Sequence, residues 1–278
     1  IYAHLTTEDL TIYIDTSGEP LFKRGWREEK GEAPLKENLA AGILRLTNWQ
    51  ASMPLYDPMC GSGTFLIEAA QIAFHTPAGA LRARILDSSN QNSTPSWKQS
   101  VTQTGFGFLR LKPFLSALEK KNWQTLCDAA KTEMHQHQND PIAISGSDIN
   151  EKMIAMCKAN WQRAQLPGLP MVRQLDAIAI KPNVDLIEGR KGVMVFNPPY
   201  GERLDIEMER FYREIGDTLK QNYPNTNAWF ITANLEALKF VGLKPSRKIK
   251  LFNGKLEARL VKYEMYEGSK KGKYLGEK

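Results

Sequence analysis

The sequence predicts an α/β fold built on a doubly wound, mostly parallel sheet. Three observations lead there. Short apolar runs rich in Val, Ile and Phe alternate with stretches whose apolar residues recur every three or four positions. Two of those runs end in unusual loops, Asp57-Pro-Met-Cys-Gly-Ser-Gly-Thr64 and Asn197-Pro-Pro-Tyr-Gly201. The last two runs face each other across Asn253-Gly254, a turn signal for an antiparallel hairpin.

Taken in order, Ile1 to Leu5 and Leu10 to Asp15 read as two short strands, with Ser17-Gly18 as a turn. Two strands alone bury no core, so residues 1–24 read as the remnant of a domain lying upstream. Pro34 then opens a helical pattern with Leu35, Leu39, Ala40, Ile43 and Leu44 on one face. Strands are expected at Pro54–Asp57, Ile142–Ser147, Met171–Leu175, Val193–Phe196, Ala228–Thr232, Lys248–Phe252 and Ala258–Met265. Helices are expected at Thr64–Phe74, Lys152–Ala164 and Ile206–Leu219. A long insertion, at about 77–139, interrupts this rhythm. Its residues 87–104 are rich in Ser, Thr, Asn and Gln and read as a loop. Its residues 113–137 read as a helix with Phe114, Leu115, Leu118, Trp123 and Leu126 as the apolar set.

The chain has 278 residues and a net charge of +6, a moderate lean toward polyanions. Two basic clusters carry aromatic residues, Lys23-Arg24-Gly-Trp-Arg27 and Lys270-Lys271-Gly-Lys273-Tyr274, a mixture seen on nucleic-acid surfaces and also on solvated loops and tails. The three cysteines, Cys60, Cys127 and Cys157, lie far apart and cannot all pair, which fits a reducing cytoplasm. No apolar run is long enough to span a bilayer. His135-Gln-His137 leaves a zinc site open, but without an adjacent Cys or Asp it reads rather as a solvated helix end, and no metal is expected.

The chemistry concentrates at strand ends. A glycine-rich strand-to-helix turn lets a ligand approach the backbone. The third glycine of a dinucleotide fingerprint would fall at Leu66, so that fingerprint is incomplete. Asp57 just before the loop would repel a pyrophosphate but attract an ammonium group. S-adenosylmethionine has such a group and no phosphate, and its carboxylate suits a helix N-terminus. A nicotinamide cofactor is disfavoured on the same grounds, and a purely structural turn stays open. Asp148, in Ser145-Gly-Ser-Asp-Ile-Asn150, stands where such folds hold ribose hydroxyls, although Asp148 or Asn150 also suits a helix N-cap. Asp176 closes the third strand, where a carboxylate can accept from an adenine amino group. In Asn197-Pro-Pro-Tyr-Gly201, two prolines stiffen the turn and aim the Asn197 amide oxygen and the Pro198 carbonyl as paired acceptors for a planar amine. Tyr200 is suited to stack on the ring that bears it.

These motifs resemble those of amino-methylating class I methyltransferases. Ala33-Pro-Leu-Lys-Glu-Asn-Leu-Ala-Ala41 and Ser17-Gly-Glu-Pro-Leu-Phe-Lys-Arg-Gly-Trp-Arg27 narrow the resemblance to bacterial guanine-N2 methyltransferases of 23S large-subunit ribosomal RNA, with relatives acting on tRNA. The resemblance covers nearly the whole chain. It implies a Rossmann-like, seven-stranded mixed sheet, S-adenosyl-L-methionine as cofactor and RNA as partner. It also implies an RNA-binding THUMP region whose trailing edge is residues 1–24, followed by a catalytic domain over 25–278. On it, Asp57, Cys60, Gly61, Ser62, Gly63 and Thr64, with Asp148, Ile149, Asp176, Ala177 and Asn197, would bind the cofactor. Asn197, Pro198, Pro199 and Tyr200 would hold the base. Lys23, Arg24, Arg27 and Arg203 would meet RNA. Cys60 has no chemical role of its own. DNA amino-methylation, protein glutamine methylation and a non-catalytic RNA-binding or assembly factor are the competing readings. The chain order around the motifs and the upstream stretches favour RNA.

Overall fold

The structure, a computed structural model, describes residues 1–27, 35–83, 85, 105–111, 114, 116–178, 192–199 and 206–266. Several expectations fall outside these residues: the role of Pro34, the loop at 87–104, Leu115, Tyr200, Arg203 and the basic tail at 270–274.

The first two strands, β1 (Tyr2–Leu5) and β2 (Leu10–Tyr13), pair with each other as an antiparallel hairpin, and every residue of both is exposed. The main sheet is built from β3 (Leu55–Asp57), β4 (Ile144–Asp148), β5 (Met171–Gln174), β6 (Val193–Phe196), β7 (Asn227–Thr232), β8 (Arg247–Asn253) and β9 (Leu256–Glu264). Their order is β5-β4-β3-β6-β7-β9-β8. The first five run parallel, and β9 runs antiparallel to both β7 and β8. This is the seven-stranded mixed sheet with a C-terminal hairpin. The hairpin loop is Gly254-Lys255, one residue later than expected, because Asn253 still pairs with Leu256.

Period-two burial divides the core between the two faces of the sheet. Val193, Val195, Trp229, Ile231 and Leu260 join one cluster, which packs against α1 (Glu37–Leu46), α2 (Thr64–Ala73) and α5 (Glu151–Arg163). Met194, Phe196, Ala228, Phe230 and Tyr263 join the other, beneath α6 (Ile206–Asn222) and a 3₁₀ turn at Ala237–Val241. The alternation is why short strands with near-continuous apolar sequence are stable here: both faces are covered.

The helix expected to open at Pro34 begins at Glu37, after an extended Lys36. Leu35 is buried ahead of it rather than on its face. In the insertion, α3 (Ala80–Ala83) precedes α4 (Ala117–His137). Ser116 caps α4, accepting from Glu119 N–H at 3.2 Å in a Ser-x-x-Glu arrangement. The buried face of α4 is not the expected one. Trp123, Cys127, Ala130 and Met134 pack against Ala80 and Ile85, whereas Leu118 is 65% and Leu126 64% exposed. Trp123 also sits in an aromatic cluster with Phe106 and Phe108, at 5.7 and 5.1 Å between ring centroids. No helix among the described residues is long and apolar enough to cross a membrane.

The buried Arg82 fastens the segment that follows the hairpin. Its guanidinium donates to the carbonyls of Ser17, Glu19, Pro20 and Lys23. Phe108 N–H adds a bond to Thr16 O at 2.8 Å. Residues 16–23 are therefore anchored to the insertion, unlike the hairpin before them.

Candidate active site

The strand order reverses between β4 and β6, both of which flank β3. At such a switch point the C-terminal ends of neighbouring strands diverge and leave a crevice. The loop after β3 and Asn197 after β6 leave adjacent parallel strands, which lie about 4.8 Å apart. The sequence motifs thus converge on one sheet edge.

The β3 loop is held by backbone bonds to its neighbours. Cys60 N–H donates to Ser147 O at 2.8 Å, and Gly61 N–H donates to Asp148 Oδ2 at 2.9 Å. Asp57 Oδ1 accepts from Met59 N–H at 3.0 Å and bends the chain at once. Gly61 and Gly63 both have positive φ, at 51° and 87°. At Gly63 a side chain is excluded twice, because a Cβ there would lie 2.5 Å from Cys157 Sγ. Gly63 N-caps α2, whose first-turn amides are open at this edge. Beneath the loop, Tyr56 Oη and Ser147 Oγ are 2.7 Å apart, and Ser147 Oγ donates to Pro58 O at 3.2 Å.

Asp148 and Asn150 divide the two roles that the sequence left open. Asn150 caps α5, accepting from Lys152 N–H at 2.9 Å. Asp148 instead bridges Gly61 N–H and Asn150 N–H, one on each oxygen. Next to it Ile149 is 67% exposed, an apolar side chain offered at the sheet edge. Asp176 is exposed and accepts from Ile178 N–H at 2.9 Å, with Ala177 inside the same turn.

Electrostatics single out Asp57. Burial pushes its carboxyl well above the ordinary value of 3.8; the Met59 N–H opposes this and Asp148 adds to it. Cys60 is pushed up as well, first by its hydrogen bond to Cys157 and then by burial, so it is no nucleophile. Asn197 Oδ1 is buried and finds no hydrogen-bond partner among the described residues. A buried orphan acceptor costs about 1–3 kcal/mol. Pro198 is buried beside it and Pro199 is exposed.

Of the expected RNA-facing cations, two point inward. Arg24 pairs with Glu68 through Nε–Oε1 and Nη2–Oε2, both at 3.2 Å. Arg27 donates to Thr64 Oγ1 at 2.6 Å and to Leu35 O at 3.1 Å, and lies 3.4 Å from Glu37. Trp26, the aromatic residue of this cluster, is fully buried. The cluster braces α1 against the start of α2, and its charges are met by acids. This corrects the expectation of an RNA patch at Arg24 and Arg27. In the same cluster Lys23 is exposed, and it pairs with Glu19 at 2.5 Å. Arg24→Met is expected to lower unfolding free energy by about 1–3 kcal/mol at neutral pH. Glu68 is already pushed up, chiefly by burial, so protonation relieves the stranded acid and the loss shrinks on acidification. Urea titrations at two pH values measure both effects.

One supporting residue escaped the sequence reading. Asn160 is fully buried on α5 and donates through Nδ2 to Ser62 O at 3.0 Å. Its trace in the sequence is a polar residue three positions after Cys157, between apolar Cys157 and Trp161, on the face that packs on the sheet.

Comparison with known proteins agrees with this arrangement. An RNA methyltransferase of Synechocystis sp., provisionally so named, is 33% identical over 96% of this chain and 62% of its own length. Ribosomal RNA large subunit methyltransferase K/L of Shewanella baltica is 33% identical over 96% of this chain and 34% of its own. The chain thus spans less than two thirds of either relative. Among solved structures, SMU.472, provisionally called a methyltransferase and crystallised with SAH, superimposes with a TM-score of 0.69 at 30% identity. That match covers 91% of this chain and 58% of the other. The family described as RMKL-like, methyltransferase domain, matches residues 24–262. With the switch-point crevice, the glycine loop and the Asn-Pro-Pro turn in place on a seven-stranded mixed sheet, the chain belongs to the RMKL-like methyltransferase domain family.

Proposed function

We propose that this protein transfers a methyl group from S-adenosyl-L-methionine to the exocyclic N2 of a guanine in RNA, with 23S ribosomal RNA as the substrate. The observation that carries the reading is Asn197 Oδ1, just after β6 and next to the glycine loop, which is buried with no hydrogen-bond partner among the described residues. A carboxamide oxygen is an acceptor, and an exocyclic amine is a donor that suits it. The names of the Shewanella and Synechocystis relatives support RNA as the substrate class.

The described residues fit the cofactor. The electronegative Asp57 suits its ammonium, Gly61 and Gly63 admit it to the backbone, and Asp148 suits the ribose. Ile149 offers an apolar surface to the adenine, and Asp176 suits its amino group. When bound, the cofactor supplies an electrophilic methyl carbon. Asn197 Oδ1 and the Pro198 carbonyl orient the amine toward that carbon and stabilise the positive charge that develops on nitrogen. Pro199 stiffens the turn, and the ring of Tyr200 is of a type suited to stack on the base. A guanine in a duplex hides N2 in the minor groove, so the target base must be single-stranded or flipped out. Lys23 and Arg203 have the charge that suits contacts to phosphates.

We assign the catalytic domain to the chain that begins near Asp15, earlier than residue 25, because the Arg82 bonds bind residues 17–23 to it. The β1–β2 hairpin, with Ile12, Tyr13 and Leu10 exposed, suits the trailing edge of an RNA-binding region.

The Asp57 carboxyl gives a pH signature. Its raised value stabilises the unliganded fold at low pH, and that contribution is lost as pH rises from 3.8 through the raised value. An ammonium against Asp57 pulls the value back down, so cofactor binding releases a proton in that window and tightens with pH. Calorimetry in two buffers of unlike ionisation enthalpy measures the release, and zero release would remove Asp57 from the ammonium site. Asp57→Asn keeps the Met59 bond. It is expected to raise the melting temperature of the unliganded protein at neutral pH while weakening cofactor binding at least about tenfold.

The function itself is tested by incubating the full-length protein with labelled donor and RNA from cells that lack it, then mapping the labelled nucleoside. Label on N2-methylguanosine within 23S rRNA supports the proposal. Label only on tRNA, on another base, or on none of the RNA refutes it.

A further inference from the structure

A second cluster of ligand-type side chains lies away from the crevice, where the insertion meets the catalytic core. His75 follows α2 in a left-handed conformation, φ 52°, which turns its ring toward α4. Glu133 and His137 are four residues apart on α4 and so share one face. One ligand atom from each of the three residues lies within 4.8 Å of the others. His75 Nδ1 is 2.8 Å from Glu133 Oε1, and His137 Nε2 is 3.6 Å from the same oxygen. Behind His137, Asp140 Oδ2 is 2.7 Å from Nδ1.

We propose that His75, Glu133 and His137 bind one borderline divalent cation such as Zn²⁺, which fastens the insertion helix α4 to the C-terminal end of α2. Two imidazoles and a carboxylate are a zinc donor set, with water in the fourth position. Ligand atoms around tetrahedral zinc stand about 3.3 Å apart, given metal–ligand bonds of about 2.0–2.2 Å. The observed 2.8 and 3.6 Å separations bracket that spacing. Asp140 supplies the supporting contact that a metal-bound histidine requires. By accepting from Nδ1–H it fixes the tautomer that leaves Nε2 free for the metal. Nitrogen donors favour zinc, nickel, cobalt and copper over magnesium and calcium.

The two rings now stack at 3.8 Å between centroids with 11° between their planes. A cation in line with both lone pairs requires one ring to leave the stack. His75, with 47% of its side chain exposed, has room to turn. The site lies at the far end of α2 from Gly63, so it braces the helix that carries the glycine loop without touching the crevice.

The test is calorimetric titration of the full chain with Zn²⁺, in a buffer that does not coordinate metal and with excess Mg²⁺ present. One ion per chain is expected at saturation. His75→Asn, which tolerates the left-handed backbone, and Glu133→Gln and His137→Ala are each expected to weaken binding at least about tenfold. His135→Ala, on the neighbouring face of α4, is expected to change nothing. Circular dichroism of each metal-free variant establishes that it is folded. Replacement by Co²⁺ reports the donors: a thiolate charge-transfer band would assign the metal to the buried cysteines and overturn the proposal. Equal affinity in the three ligand variants, displacement by Mg²⁺, or no saturation below millimolar zinc would also overturn it.

Discussion

Asn197→Ala is expected to lower the single-turnover methylation rate by on the order of 10²–10³-fold, with cofactor affinity nearly unchanged. The asymmetry follows from what the side chain does. Its Oδ1 is buried and has no partner among the described residues, so the folded protein holds it there at a cost. That acceptor becomes useful as the amine nitrogen gains positive charge, when its N–H groups become stronger donors. An interaction that strengthens toward the transition state appears in the rate rather than in binding. Removing the carboxamide also deletes the orphan acceptor, so Asn197→Ala is expected to keep or raise thermal stability. Asn197→Asp separates position from charge: it keeps the acceptor geometry but adds a carboxylate that must be desolvated. A single-turnover rate for Asn197→Ala equal to the parent rate would end the assignment, whatever the multiple-turnover rate shows.

A large structural effect is expected at Gly63. Gly63→Ala adds a methyl where φ is 87°, a region costing about 1–3 kcal/mol for a side-chain-bearing residue. The same methyl meets Cys157 Sγ at 2.5 Å, and overpacking of this kind costs a further 1–3 kcal/mol or so. The two penalties separate experimentally. In Gly63→Ala/Cys157→Ala the sulfur is gone and only the backbone strain remains. The double variant is therefore expected to be less destabilised than the sum of the single variants, with a coupling of about 1–3 kcal/mol measured by urea unfolding. Additive losses would mean that the loop moves aside and that the contact is not rigid. Cofactor affinity is expected to follow the strain rather than the sulfur, because the glycine conformation shapes the loop at the mouth of the crevice.

Much of this architecture is readable in the sequence, for a physical reason. Strands covered on both faces have to be apolar throughout, so Val193–Phe196 and Asn227–Thr232 stand out against the polar chain around them. The glycine loop is legible because few residues tolerate the backbone it needs. What stays hidden depends on partners distant in sequence. Arg24 looks like a surface cation until Glu68, 44 residues on, is folded against it. Leu118 and Leu126 have the composition of a core, yet the face that α4 packs against Ala80 and Ile85 carries Trp123, Cys127, Ala130 and Met134, and only Trp123 of these was in the expected set. The Pro34 signal placed a helix start three residues early: Lys36 is extended, and the Leu35 carbonyl ahead of it accepts from Arg27. His75 and His137 come from separate elements, so neither gives any hint of the other in one dimension.

The clasp between Asp148 and Gly61 limits what the tip of β4 can become. Two amide hydrogens converge on one carboxylate, each taking a different oxygen. An asparagine of nearly identical shape would have to turn its own NH₂ toward one of them, donor against donor. Isosteric replacement should therefore undo the clasp. The tip of β4 and the loop after β3 are thus fastened through one side chain, so a change at Asp148 acts on both.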